Sequence, residues 1–283
     1  MIKIGEYELY SIETSEFGLD GGAMFGIIPK PLWVKKVKTD KYNRIEMVTR
    51  SLLLSGDGKN ILIDTGNGDK WSKKENELYN ISLEKYNIES GLKKYGFTPE
   101  VITDVICTHL HFDHVGGNTK FESGKLVPTF PNATYWVSKE NWKLANYPSQ
   151  KDAGSFIKHN WEVLAENGML KIVDGKDQFI NGVEIFISYG HTDGLMHPLI
   201  SDGKSTLFFG SDIFPLATHV HIPWVMAYDI NPLVTLKEKE FFLRKIFEGE
   251  WILFFEHDPH IQAAKIHNYG DKYTVKEEVL ISE

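Results

Sequence analysis

Three imidazoles and one carboxylate fall within six residues in Thr108-His109-Leu110-His111-Phe112-Asp113-His114-Val115-Gly116-Gly117-Asn118. His109 and His111 stand two apart, so on extended backbone both side chains can point to one side. Asp113 and His114 face elsewhere across the following turn, which lets one loop divide its donors between two metal ions about 3.5–4 Å apart. Gly116-Gly117 permit a sharp turn and a close backbone approach that a Cβ would block. Imidazole and carboxylate without thiolate suit zinc, iron, manganese or cobalt, and the donors alone do not choose among them.

A loop holds such donors only if rigid elements deliver them. The apolar run at 101–107 reads as a buried strand that feeds the loop. Three more strand-like runs end in a metal-competent group: 183–188 before Gly190-His191-Thr192, 205–209 before Gly210-Ser211-Asp212, and 251–255 before Glu256-His257-Asp258-Pro259. Groups at the ends of several strands can converge on one sheet edge, because the scaffold fixes their positions and leaves the loops free. His260 competes with His257, which directly follows its strand. Asp64, in Asp64-Thr65-Gly66 at the end of the run 60–65, is either a turn former or an acceptor that orients a ligand imidazole. His159 and His267 read as surface residues and His197 as structural.

The remaining chain supplies a frame. Residues 2–14 alternate apolar and polar as a half-buried strand does, and 47–54 with 60–65 form a hairpin across Ser55-Gly56-Asp57-Gly58. Helices are expected over 83–95, over 138–145, over 152–166 before Asn167-Gly168, and from Asn231-Pro232 to Glu248; short strands are expected at 133–137 and 170–173. Residues 18–40 are punctuated by Gly and Pro yet carry Met24, Phe25, Ile27, Ile28, Leu32 and Trp33, so they form either a loop packed on the core or an apolar flap at a pocket mouth. With no repeat, low-complexity tract or linker, one domain over 1–283 is expected.

Composition excludes several classes. The 283 residues are 42% hydrophobic and 13% aromatic, ample for a packed core. A net charge of −8 argues against nucleic acid or anionic lipid as a partner, since both need a basic face. The single cysteine, Cys107, rules out an intrachain disulfide or a thiolate cage and reads as a packing residue. No charged n-region precedes a long apolar run, and no apolar stretch approaches the roughly 18 residues of a membrane span. A cytoplasmic protein without membrane contact is expected, and a homodimer is the assembly considered.

Taken in chain order, Asp64-Thr65-Gly66, His109-Leu-His111-Phe-Asp113-His114, Gly190-His191-Thr192, Gly210-Ser211-Asp212 and His257-Asp258-Pro259 resemble the metallo-β-lactamase-fold hydrolases. The resemblance implies an α/β (α+β) chain folded as a four-layer αββα sandwich with a dinuclear site along one edge. It places His109, His111 and His191 on one metal, Asp113, His114 and His257 on the other, and Asp212 between them. The cofactor is then two divalent transition-metal ions, zinc foremost, and the reaction a hydrolysis by a metal-bridging hydroxide. Asp113 and Asp212 are the catalytic carboxylates, Asp113 shuttling the proton to the leaving group.

Met24, Phe25, Ile27, Ile28, Leu32, Trp33, Trp224 and Tyr228 are expected to wall the pocket, with His219 or His221 donating to substrate, which favours a small, hydrophobic, uncharged ester. The stretch from Gly21 to Trp33 and the His257-Asp258-Pro259 ending resemble the branch of lactonases and of phosphotriester and aryl-ester hydrolases. Pro215 departs from the acyl-homoserine lactonases, which place a substrate-contacting Tyr three residues past the bridging Asp. A glyoxalase II-like thioesterase wants a basic C-terminal patch, whereas 265–283 interleaves Lys with Glu and Asp. Diiron flavoproteins of this fold carry Glu where His111 stands. A mononuclear-iron persulfide dioxygenase keeps the motif and is separated by metal analysis. A nuclease conflicts with the acidic balance.

Overall fold

The computed structural model describes residues 1–174, 180–270 and 272–282. The strand expected over 2–14 is two strands, β1 (Ile2–Ile4) and β2 (Tyr7–Asp20), because Gly5 turns the chain at φ +59°. β2 pairs with β3 (Arg44–Gly56), and β3 with β4 (Lys59–Ile63). Asp57 and Gly58 join the latter two at φ 50° and 71°, the left-handed pair that a two-residue hairpin loop needs to match strand twist. β5 (Asp104–Ile106) runs parallel to β4 and is shorter than expected, since Pro99–Val101 take a 3-10 turn. A separate hairpin, β6 (Thr119–Glu122) and β7 (Lys125–Pro128), leads to β8 (Thr134–Ser138) and β9 (Leu170–Val173), which complete a seven-stranded sheet in the order β1-β2-β3-β4-β5-β8-β9.

The second sheet follows chain order: β10 (Val183–Ser188), β11 (Leu195–Ser201), β12 (Thr206–Phe209), β13 (Ile252–Phe254), β14 (Ala263–Asn268) and β15 (Tyr273–Val279). β11, β14 and β15 are not legible as strands in the sequence. In β11 both faces are buried and Pro198 interrupts the run, so alternation is lost.

Helices lie outside the sheets. α1 (Gly21–Phe25) and α2 (Lys30–Trp33) occupy the segment at 18–40, α3 (Lys73–Tyr79) and α4 (Ile88–Lys94) follow β4, and α5 (Phe112–Val115) starts inside the histidine loop. α6 (Lys139–Asn146) is capped by Ser138. α7 is only Glu162–Glu166, because the helix expected from 152 breaks into 3-10 turns at Ala153–Ser155 and Lys158–Asn160. α4 likewise starts later than expected, where Asn87 accepts from the Ser90 amide; unexpected α3 starts on a Ser72–Glu75 capping box. α8 spans Pro232–Glu248, as expected.

Strand alternation sorts the core into layers. Leu52, Leu54, Ile61 and Ile63 meet Met196, Leu207, Phe209 and Phe254 between the sheets. Leu53, Leu62, Val105 and Tyr135 point the other way, under Leu92 of α4, Ala145 of α6 and Leu164 of α7. On the far side Phe208, Leu253 and Phe255 pack on Phe242, Leu243 and Ile246 of α8. The result is helix, sheet, sheet, helix. Each fully buried Leu, Ile or Phe contributes about 1.5–3 kcal/mol, and a one-residue slip of β3 would exchange Leu53 for Leu52 and Leu54 across the layers, so the register is held firmly. Among the described residues no helix is long and apolar enough to cross a membrane.

Candidate metal centre

The centre lies where β4, β5, β12 and β13 end. Asp64, just past β4, and Ser211, just past β12, both adopt left-handed backbone at φ 55° and 41°. Such conformations cost about 1–3 kcal/mol for residues with a Cβ and persist where surrounding bonds hold them. Thr108 supplies much of that hold. Its amide donates to Asp64 Oδ1 (2.7 Å), its Oγ1–H to Asp64 Oδ2 (2.6 Å), and the same Oγ1 lies 3.0 Å from Ser211 Oγ and 3.1 Å from His109 Nδ1. The glycine pair acts as expected, since a Cβ at Gly116 would strike the Asn67 carbonyl and one at Gly117 the Thr65 carbonyl.

Seven donors converge as two buried quartets that share Asp212: His109, His111, His191 and Asp212, and Asp113, His114, Asp212 and His257. His111 Nδ1 lies 3.0 Å from His109 Nε2 and 3.2 Å from His191 Nε2. Ligand nitrogens at 2.0–2.1 Å around a tetrahedral ion are about 3.3 Å apart, so these edges fit a divalent cation. Asp212 Oδ2 lies 3.2 Å from His191 Nε2 and 3.4 Å from His114 Nε2, while its Oδ1 lies 3.1 Å from His257 Nε2. That Oδ1 is buried and accepts no well-formed hydrogen bond, as expected of an oxygen that faces a cation. Asp113 closes the second quartet, with its carboxylate oxygens 3.9 Å from His114 Nε2 and 3.8 Å from His257 Nε2.

Protonation follows the neighbours. Burial, then the adjacent imidazoles, holds His109 and His111 well below the ordinary histidine range and leaves their nitrogens as lone-pair donors. Burial also opposes charge on His114, but Glu256, Asp212 and Asp113 outweigh it and raise the ring well above that range; Asp212 and Glu256 likewise raise His257. Asp212 is buried, yet His114, His191 and His257 hold its carboxylate well below the usual value. Burial pushes Glu256 up to about 8 and Cys107, a packing residue in the core, up to about 12.

Behind the donors stand groups that orient them. His191 Nδ1 faces Asp229 Oδ1 at 2.9 Å, and His257 Nδ1 faces the Val48 carbonyl at 3.0 Å. His114 Nδ1 faces two carboxylates, Asp64 Oδ2 at 3.0 Å and Glu256 Oε2 at 3.1 Å. Asp64 was expected from the sequence, whereas Thr108, Asp229 and Glu256 carried no motif of this kind. Asp229 stands 38 residues from His191 in a turn with no motif of its own. Glu256 carried one signal, an acid between Phe255 and His257 in an otherwise buried run.

A cavity of about 270 Å³ opens over His111, Asp113, His191, Asp212 and His257, with Leu19, Met24, Met47, Tyr79, Phe112, Met226 and Tyr228 among its apolar and aromatic walls. Of the expected wall residues, Met24 and Tyr228 line it. Phe25 and Trp33 stack at 5.1 Å in the core, His219 stacks on Phe25 and bonds the Met24 carbonyl, and Trp224 packs edge-on to Phe25. The segment at 18–40 is therefore mostly a packed support that offers Leu19 and Met24 to the cavity, and its large rings face inward because the core can bury them. Lys151 straps the rim, donating to the carbonyls of Ala227 (3.0 Å), Tyr228 (2.9 Å) and Asp229 (3.0 Å). His257, not exposed His260, joins the cluster, and His197 is structural, bonded to Ser188 and the Phe209 carbonyl.

The profile of the metallo-beta-lactamase superfamily matches residues 45–255, and the chain belongs to that superfamily. Among characterised relatives, an N-acyl homoserine lactonase of Bacillus cereus is 26% identical over 174 residues, 58% of this chain and 63% of that protein. A second N-acyl homoserine lactonase, from a Bacillus species, is 28% identical over 51% of this chain and 55% of its own length. The chain thus aligns with less than two thirds of these relatives. Over nearly its whole length it superposes on a probable metal-dependent hydrolase from Staphylococcus aureus, with TM-score 0.86, 28% identity and coverage of 99% and 100% of the two chains. The fold is also that of AidC, a dizinc quorum-quenching lactonase, with TM-score 0.80 at 21% identity and coverage of 99% and 97%.

Proposed function

We propose that the protein is a metal-dependent hydrolase of small, hydrophobic, uncharged esters, lactones foremost, with aryl esters and phosphotriesters as neighbouring substrates. The observation that carries this reading is the pair of buried quartets sharing Asp212 beneath an apolar cavity. Its complete second quartet also favours two cations over the single iron of a dioxygenase. Two divalent cations held here would supply Lewis acidity and would make water available as a nucleophile near neutral pH, and zinc is the first metal to try, as in the dizinc lactonase that shares the fold.

The chain's own residues do the remainder. His109, His111 and His191 would hold one cation and Asp113, His114 and His257 the other, with Asp212 common to both quartets. Asp64 and Asp229 fix the ring orientation of His114 and His191. Asp113, which lines the cavity, is the carboxylate placed to pass a proton to the departing oxygen. Leu19, Met24, Met47 and Met226 exclude water and select against charged substrates, and Tyr228 completes the wall. The lactonase names of the relatives support lactones as the first substrates to try.

The test is metal quantification on purified protein paired with a panel of lactone, aryl-ester and phosphotriester probes. About two transition-metal ions per chain and hydrolysis of at least one class are expected. Full hydrolytic activity in metal-free protein overturns the reading, and one iron per chain with oxygen consumed on a persulfide replaces it with a dioxygenase.

A further inference from the structure

Glu256 lies at the end of β13 with no exposed surface. Its Oε2 comes within 3.1 Å of His114 Nδ1, the same atom that faces Asp64 Oδ2 at 3.0 Å. The two acids are not equivalent. Asp64 accepts two strong hydrogen bonds from Thr108, whereas neither oxygen of Glu256 has a well-formed hydrogen bond among the described residues. A buried acid with no other partner is costly, and a neutral side chain of the same shape would fit at lower cost. Among the described residues the basic groups beside it are His114, whose Nδ1 lies 3.1 Å away, and His257, the next residue, both of which belong to the centre.

The placement is also one-sided. Behind the quartet of Asp113, His114, Asp212 and His257 stand two carboxyls, Asp64 and Glu256, while behind the quartet of His109, His111, His191 and Asp212 stands one, Asp229. We propose that Glu256 is a positioning residue that, with Asp64, holds the outward nitrogen of His114 and tightens the grip of this acid-rich quartet on its cation. The inference rests on the two-cation reading above. The quartet has a second buried carboxyl behind it that the three-imidazole quartet lacks, so the two cations should differ in how easily they are removed, and Glu256 should set much of that difference.

The experiment compares the metal-loaded wild type with Glu256→Gln, which keeps the side-chain volume and replaces the carboxyl by an amide. Cobalt or zinc is titrated in chelator buffers, and stoichiometry and stepwise affinity are read from metal analysis and the visible bands of cobalt. In Glu256→Gln one cation should bind as in wild type and the other roughly 10- to 100-fold more weakly, the range seen when the orienting partner of a ligand is lost. Glu256→Asp, which keeps the carboxyl but draws it back from His114, should show a smaller loss at the same site; it decides the question if Glu256→Gln does not fold. Unchanged affinity for both cations, or equal weakening of both, overturns the proposal for Glu256. A wild type that binds fewer than two cations overturns the dinuclear reading instead, so the two failures are distinct.

Discussion

His109 and His111 on one side of the centre are held well below the ordinary histidine range, while His114 and His257 on the other are held above it. All four rings are buried, so burial does not separate them. The acids do. The first pair faces other imidazoles and shares only Asp212, whereas the second pair also meets Asp113 and Glu256, and His114 meets Asp64 as well. His109 and His111 are held as neutral lone-pair donors, whereas His114 and His257 stand among carboxyls. The same residue type thus becomes two kinds of ligand through what stands behind it.

The largest effect should come from Asp212→Ala, because Asp212 belongs to both quartets. Steady-state hydrolysis should fall by roughly 10²–10³-fold or more, and metal analysis should show depletion of both cations rather than one. Loss of a single cation with the other intact would break the symmetry assigned to this carboxylate. A smaller, sided effect is expected from Asp229→Asn and Asp64→Asn. Each should weaken one cation roughly 10- to 100-fold while sparing the other, with Asp229→Asn acting on the half that contains His191. Chelator competition followed through cobalt bands separates the two sites, and a shared loss in either variant would dissolve the distinction between halves.

The smallest effect belongs to the rim that bridges cavity and centre. Lys151 ties down Ala227, Tyr228 and Asp229, so Lys151→Met should loosen Tyr228 at the wall and Asp229 behind His191 together. Each charge-assisted bond is partly exposed, so a few-fold drop in kcat/KM, on the order of 1 kcal/mol, is expected, carried mainly by KM, with full metal content retained. A fall in metal content would mean that the strap serves the His191 half more than the wall.

The residues brought together at the floor of the cavity were legible because their signal is local. Each is a polar, metal-competent group standing just past an apolar run, and strands place such groups on an edge. The walls were not legible for the opposite reason. Phe25, Trp33 and Trp224 have the composition of a pocket lining, but large rings go wherever the most area can be buried, and here that is the core beneath α1 and α2. Leu19, Met47 and Tyr79 reach the cavity instead, from the end of β2, the start of β3 and the end of α3, and none carries a mark that separates it from other apolar residues of its element. The helix expected over 152–166 breaks for a similar reason, as Phe156 leaves the 3-10 turn that ends at Ser155 and packs on His111.

By itself the sequence determined the layered α/β architecture, the histidine loop and the order in which His191, Asp212 and His257 follow it, since hydrophobic period and residue type are properties of short stretches. Only the tertiary structure decided what each of those groups faces. Asp229 reaches His191 across 38 residues, Val48 reaches His257 across 209, and Glu256 joins Asp64 behind His114 because β13 ends beside β4 and β5 across the sandwich. Electrostatics at this range depends on distances of a few ångströms between segments far apart in the chain, and that information exists only once the sheets have closed on each other.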